Sequence, residues 1–84
     1  MITGGQLRAA RGMLGWSQVD LAERSRVGLS TVRRMEGDLG PVRVYSDNLW
    51  KVQQALEDAG ILFIDENDSG GAGVRLKQRE RRAP

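Results

Sequence analysis

The strongest constraint on this chain lies between Ser17 and Gly37, where two helical patterns are separated by only a short link. Ser17 is a good N-cap, and Asp20 stands three residues on, where the acidic partner of a capping box belongs. The pattern predicts a helix over 18–24 that buries Leu21 and Ala22, followed by a link of Ser25, Arg26 and Val27. A second helix opens at Gly28 or Leu29 and runs to Met35 or Glu36. Val32 and Met35 are three apart and turn inward with Val27. Gly37 and the Gly40-Pro41 pair stop this helix. The inward residues must hold the two helices at a fixed angle, while arginines occupy the outer face.

The rest of the chain builds around that pair. Its 84 residues suffice for one domain with a single small core. A helix is predicted from Thr3 or Gly4 to Met13, on the spacing of Leu7, Ala10 and Leu14, with Gly12 and Gly15 weakening its end. Asp38 to Tyr45 reads as an irregular loop. Ser46 or Asp47 caps a fourth helix, whose core stripe is Leu49, Val52, Leu56 and Ala59, and Gly60 supplies its stop. Ile61 to Ile64 is a short β-branched and aromatic run, expected as a strand. Glu66 to Gly73 is a glycine-rich turn, and Val74 to Lys77 alternates as a second strand should. The expected hairpin over 61–77 is marginal alone, so it must pack on the helices or pair with another chain. The expected organisation is therefore mainly α, with a four-helix domain over 1–60, a β-hairpin over 61–77 and a disordered basic tail over 78–84.

Composition excludes much chemistry. The chain has no cysteine and no histidine, which removes disulfides, thiolate metal sites and the commonest general base. No catalytic residue, metal site or cofactor is expected. The acids from Asp65 to Asp68 lack the spacing and terminal glutamate of a calcium loop. Gly70, Gly71 and Gly73 form no phosphate loop, since no lysine-serine pair or helix start follows. No run approaches the roughly eighteen apolar residues of a membrane span, and the start, MITGGQLRAA, does not read as a signal peptide. The cytosol is the expected compartment, with no membrane partner.

The formal net charge of +2 says little, but its distribution says more. Seven arginines and four acids lie between Arg8 and Arg43, five acids and no basic residue between Glu57 and Asp68, and five basic residues and one acid between Arg75 and Arg82. A basic front half implies one surface for an anion and another facing away from it.

Two short helices joined by a three-residue turn, apolar inside and basic outside, make a helix-turn-helix pattern. In that pattern one helix lies across the DNA backbone and the next enters the major groove, which is about 12 Å wide. The stretch WSQVDLAERSRVGLSTVRRMEG resembles the Cro/phage-repressor type of helix-turn-helix, the XRE family. Ser17-Gln18, Leu21-Ala22-Glu23, Val27, Ser30-Thr31-Val32, Arg34 and Glu36-Gly37 carry the resemblance, which covers about Leu7 to Leu56.

The resemblance implies a lambda-repressor-like fold and a sequence-specific transcriptional regulator that binds double-stranded DNA through a recognition helix at about 29–36. It places Gln18 on a backbone phosphate, bracing the recognition helix. Leu29, Ser30 and Arg34 fall at base-reading positions, with Thr31 and Arg33 flanking them. Arginine suits guanine, and Leu29 suits a thymine methyl. For Arg33, base, phosphate and solvent all stay open. Arg11 and Glu36 fall where the family often ties the first helix to the end of the third by an ion pair. Arg43 matches a phosphate-binding region, or is a free loop arginine.

Two positions depart from the family pattern. Arg26 stands where glycine is usual, so the backbone there must strain or take a different link. Gly28 replaces the usual Ser or Thr cap. The hairpin stands where the family often has a fifth helix. Trp16 and Trp50 are expected to pack rather than to stack on bases. A homodimer is expected on two half-sites about one helical turn apart, joined through the end of the fourth helix and the hairpin, whose apolar edge strand invites pairing. The alternative is an antitoxin or adaptor that uses the same fold to bind a protein partner.

Overall fold

In the computed structural model, which describes residues 2–38, 40–42 and 46–78, Thr3 opens helix α1 (Gly4–Leu14) with a capping box. Its hydroxyl accepts from the Gln6 N–H at 3.1 Å, and the Gln6 side chain accepts from the Thr3 N–H at 2.9 Å. Helix α2 (Gln18–Ser25) begins the same way, with Ser17 and Asp20 exchanging bonds of 3.0 and 2.9 Å. It runs one residue past the expected end. Ser25 stays helical because its buried hydroxyl donates to the Leu21 carbonyl at 2.6 Å. The link to α3 (Leu29–Glu36) is therefore Arg26, Val27 and Gly28. Helix α4 (Ser46–Asp58) and the antiparallel strands β1 (Ile61–Ile64) and β2 (Gly73–Leu76) complete the fold.

The ends of α1 and α2 are alike. Each passes into a left-handed residue whose successor bonds back to a carbonyl five residues earlier: Trp16 to Arg11 at 3.0 Å, and Val27 to Ala22 at 3.2 Å. In α1 the left-handed residue is Gly15, at φ 70°. In α2 it is Arg26, at φ 59° and ψ 35°. Of the two outcomes open at Arg26, strain or a different link, the structure shows the first, at a cost of about 1–2 kcal/mol for an L residue.

One core joins every element except β2, which packs against it. Leu7 and Ala10 meet Leu21, Ala22, Val27, Val32 and Met35, and Val52, Leu56 and Ile61 close the far side. Each of the large side chains here contributes about 1.5–3 kcal/mol by its burial. Ile61 is 0 % exposed, so the hairpin is continuous with the helical core. Register explains the rest of the hairpin. Ile61 pairs with Leu76 and Phe63 with Val74 on the inner face, while Leu62 opposite Arg75 and Ile64 opposite Gly73 look outward. Gln6, itself only 3 % exposed, clips the hairpin mouth by donating to the Ile64 and Gly73 carbonyls at 3.1 and 2.9 Å.

Backbone also meets backbone where α1 begins. A Cβ on Gly4 would lie 2.0 Å from the Asp38 carbonyl oxygen and 2.7 Å from that of Met35. The start of α1 can therefore approach the end of α3 this closely only as glycine.

Trp50 corrects an expectation. It is 62 % exposed, because it precedes Val52 by two positions and so lies about 200° around the helix from the core stripe. Trp16 is half-buried against the core, with the Arg24 guanidinium 4.6 Å from its ring centroid. Arg43, most of the expected loop after α3, and residues 79–84 of the tail lie outside the described residues.

Candidate nucleic-acid interface

The outer face of α3 is set by what its inner face buries. Val32 and Met35 are fixed in the core, so Ser30, Arg33 and Arg34, on the opposite side of the helix, are exposed. Thr31 is half-buried. Leu29 is half-buried as well and packs against the core from the first turn of the helix. Gly28 caps α3 without a side-chain hydrogen bond.

The far end of α3 is held by a polar network. Glu36, whose side chain is only 2 % exposed, receives Arg11 through Nε and Nη2, both at 2.8 Å. The two parallel bonds fix orientation as well as distance. Arg11 also donates through Nη1 to the Trp16 carbonyl at 3.0 Å, and so binds the α1–α2 turn to the same point. Its pKa is raised, chiefly by the hydrogen bond to Glu36; burial opposes this, and the charge of Glu36 adds a smaller upward effect. Gln18 adds a longer bond, from Nε2 to Glu36 Oε1 at 3.3 Å. The first residue of α2 and the last of α3 are thereby joined.

The structure brings Arg11, Gln18 and Glu36 together in this way. It sets Ser30, Arg33 and Arg34 on one exposed face and turns Leu29 partly inward. Two contributors were not singled out from sequence. The Trp16 carbonyl is a backbone acceptor, which no side-chain pattern announces. Gln6 carried a legible signal, since Thr3 and Gln6 have the Thr-x-x-Gln spacing of a capping box.

Asp20 holds the other end of α2. Its carboxyl lies below the ordinary 3.8, first through the Ser17 N–H, with the Ser17 hydroxyl and the charge of Arg24 assisting. No cluster of three acidic residues suited to a metal ion occurs among the described residues. No described helix is long and apolar enough to cross a membrane.

Residues 7–39 match a family model described as helix-turn-helix. The matched span takes in α1 from Leu7, all of α2 and all of α3. No curated protein matches the chain.

Proposed function

We propose that the chain is a DNA-binding transcriptional regulator of the XRE helix-turn-helix type, on the match over residues 7–39, and that it reads a specific double-stranded sequence with α3 in the major groove. The observation that carries this reading is the exposed trio of Ser30, Arg33 and Arg34 on a helix whose opposite face is buried and whose end is fixed by Glu36. Arg34 and Ser30 read base edges, with Leu29 beside them at the first turn and Thr31 and Arg33 flanking. Arginine reaches both acceptors of a guanine at once. Gln18 meets a phosphate. One of its amide hydrogens faces Glu36 and the other is left to donate, beside the first-turn N–H groups of α2.

The functional unit in this reading is a homodimer on two half-sites. The hairpin supports it: Leu62 and Ile64 are each 36 % exposed on its outer face, next to the end of α4.

Selection of bound duplexes from a random pool, with stoichiometry, tests the whole reading. A defined site with two-fold repetition is expected, and recovery of no preferred sequence contradicts it. On the selected site, Arg34→Ala costs about 1–3 kcal/mol and relaxes one base position, whereas Gln18→Ala weakens every sequence alike. Sedimentation of a Leu62→Arg/Ile64→Arg double variant tests the interface. It should be monomeric and folded, and an unchanged dimer moves the interface elsewhere.

A further inference from the structure

We propose that Arg26 holds a backbone phosphate of bound DNA, a contact that widens the recognition surface to the link before α3. The proposal rests on the DNA-binding reading above. It begins from the matched ends of α1 and α2. The same left-handed cap that α1 makes with Gly15 is made in α2 with Arg26. The fold requires only the backbone of that residue: the Arg26 N–H bonds to the Ala22 carbonyl. Its side chain is exposed and has no hydrogen bond or ion pair with any described residue. An arginine therefore occupies a conformation that favours glycine, and its side chain bonds to none of the described residues.

Its neighbours decide where it points. Ser25 and Val27 on either side are buried, so Arg26 must project outward from the link. Arg24 is engaged with Trp16. Gly28, two residues on, brings no side chain to the start of α3. Arg26 is thus the only cationic side chain on the link that leads into the recognition helix. Its planar fork of N–H donors suits a phosphate, and a contact of this kind is indifferent to base sequence.

The test uses the full chain and a mixed-sequence duplex of about thirty base pairs, so it does not depend on knowing the operator. Anisotropy titrations over a range of salt compare the parent with Arg26→Gly, Arg26→Asn and Arg26→Lys. Glycine and asparagine both tolerate the left-handed conformation, so these variants should melt no lower than the parent. They should nonetheless bind about three- to tenfold more weakly at low salt, with the slope of log K against log salt reduced by about 0.9, one phosphate's worth. Arg26→Lys should keep the slope. The base preference recovered from a random pool should be unchanged in all three. Parent-like affinity and slope in Arg26→Gly overturn the proposal, as does an altered base preference, which would make Arg26 a base reader. If the parent shows no salt-dependent binding to duplex DNA, the functional reading fails, and the proposal with it.

Discussion

Helix α1 reaches two parts of the molecule through two polar side chains of different character. Near its start, Gln6 ties down the hairpin. Near its end, Arg11 ties down α3. Gln6 is neutral and buried, and both of its amide hydrogens and its carbonyl oxygen are bonded. Arg11 is charged, its side chain is 19 % exposed, and three of its five N–H donors are used within the protein. The hairpin joint is chemically closed. The α3 joint keeps two donors to spare. A joint with only structural work to do can be neutral and saturated. A joint that also fixes the orientation of α3 can remain charged, because a buried ion pair fixes geometry better than it adds stability.

This contrast can be broken by experiment. Arg11→Ala should have the largest effect, about 3 kcal/mol in urea denaturation, because it leaves the Glu36 carboxylate buried without a counter-ion. A loss below about 1 kcal/mol would mean that the pair behaves as a surface salt bridge, and the contrast would fail. Gln6→Ala should cost about 1–3 kcal/mol, the penalty for leaving the Ile64 and Gly73 carbonyls without their donor. Amide exchange sharpens this prediction: protection should fall across the hairpin and hold along α3. Equal loss in both would show that the two joints are not separable.

The smallest effect belongs to Asp20, a capping contact at the surface that sets the scale for the other two. Its folded-state pKa is depressed, chiefly by the Ser17 N–H. Its contribution is therefore complete above the unfolded value of about 4 and is lost as pH falls through the lower folded value. Parent and Asp20→Asn should differ slightly in melting temperature at neutral pH and converge in acid. A difference that grows on acidification contradicts the assignment.

Local patterns in the sequence carried most of this architecture. The caps at Ser17 and Gly60, the inward Leu21, Val32 and Met35, and the alternation of Val74 and Leu76 all follow from spacing within a few residues. The matched helix-turn-helix fits that reading. The Arg11 and Glu36 positions were named by resemblance, since nothing local links residues twenty-five apart. What stayed hidden was hidden for physical reasons. The bonds of Gln6 to the hairpin span fifty-eight and sixty-seven residues. Trp50 was assigned by residue type, and type does not decide which side of a helix meets the core. The break from pattern at Arg26 was visible as a glycine position lacking glycine, but only the observed φ settles that the backbone accepts the strain rather than finding another link.

The position of Ile61 in the core has a consequence for synthesis. Chains emerge from the amino terminus at about 5–20 residues per second, and α1 to α4 are complete before any of β1 exists. At that moment the core lacks Ile61, and Gln6 lacks the two carbonyls it will hold. A nascent chain halted there would leave the apolar side of α4 without the strand that packs on it. Translation through β1 and β2 is thereby made a condition for a closed core, and a message that ends before them should yield a product more open to proteolysis.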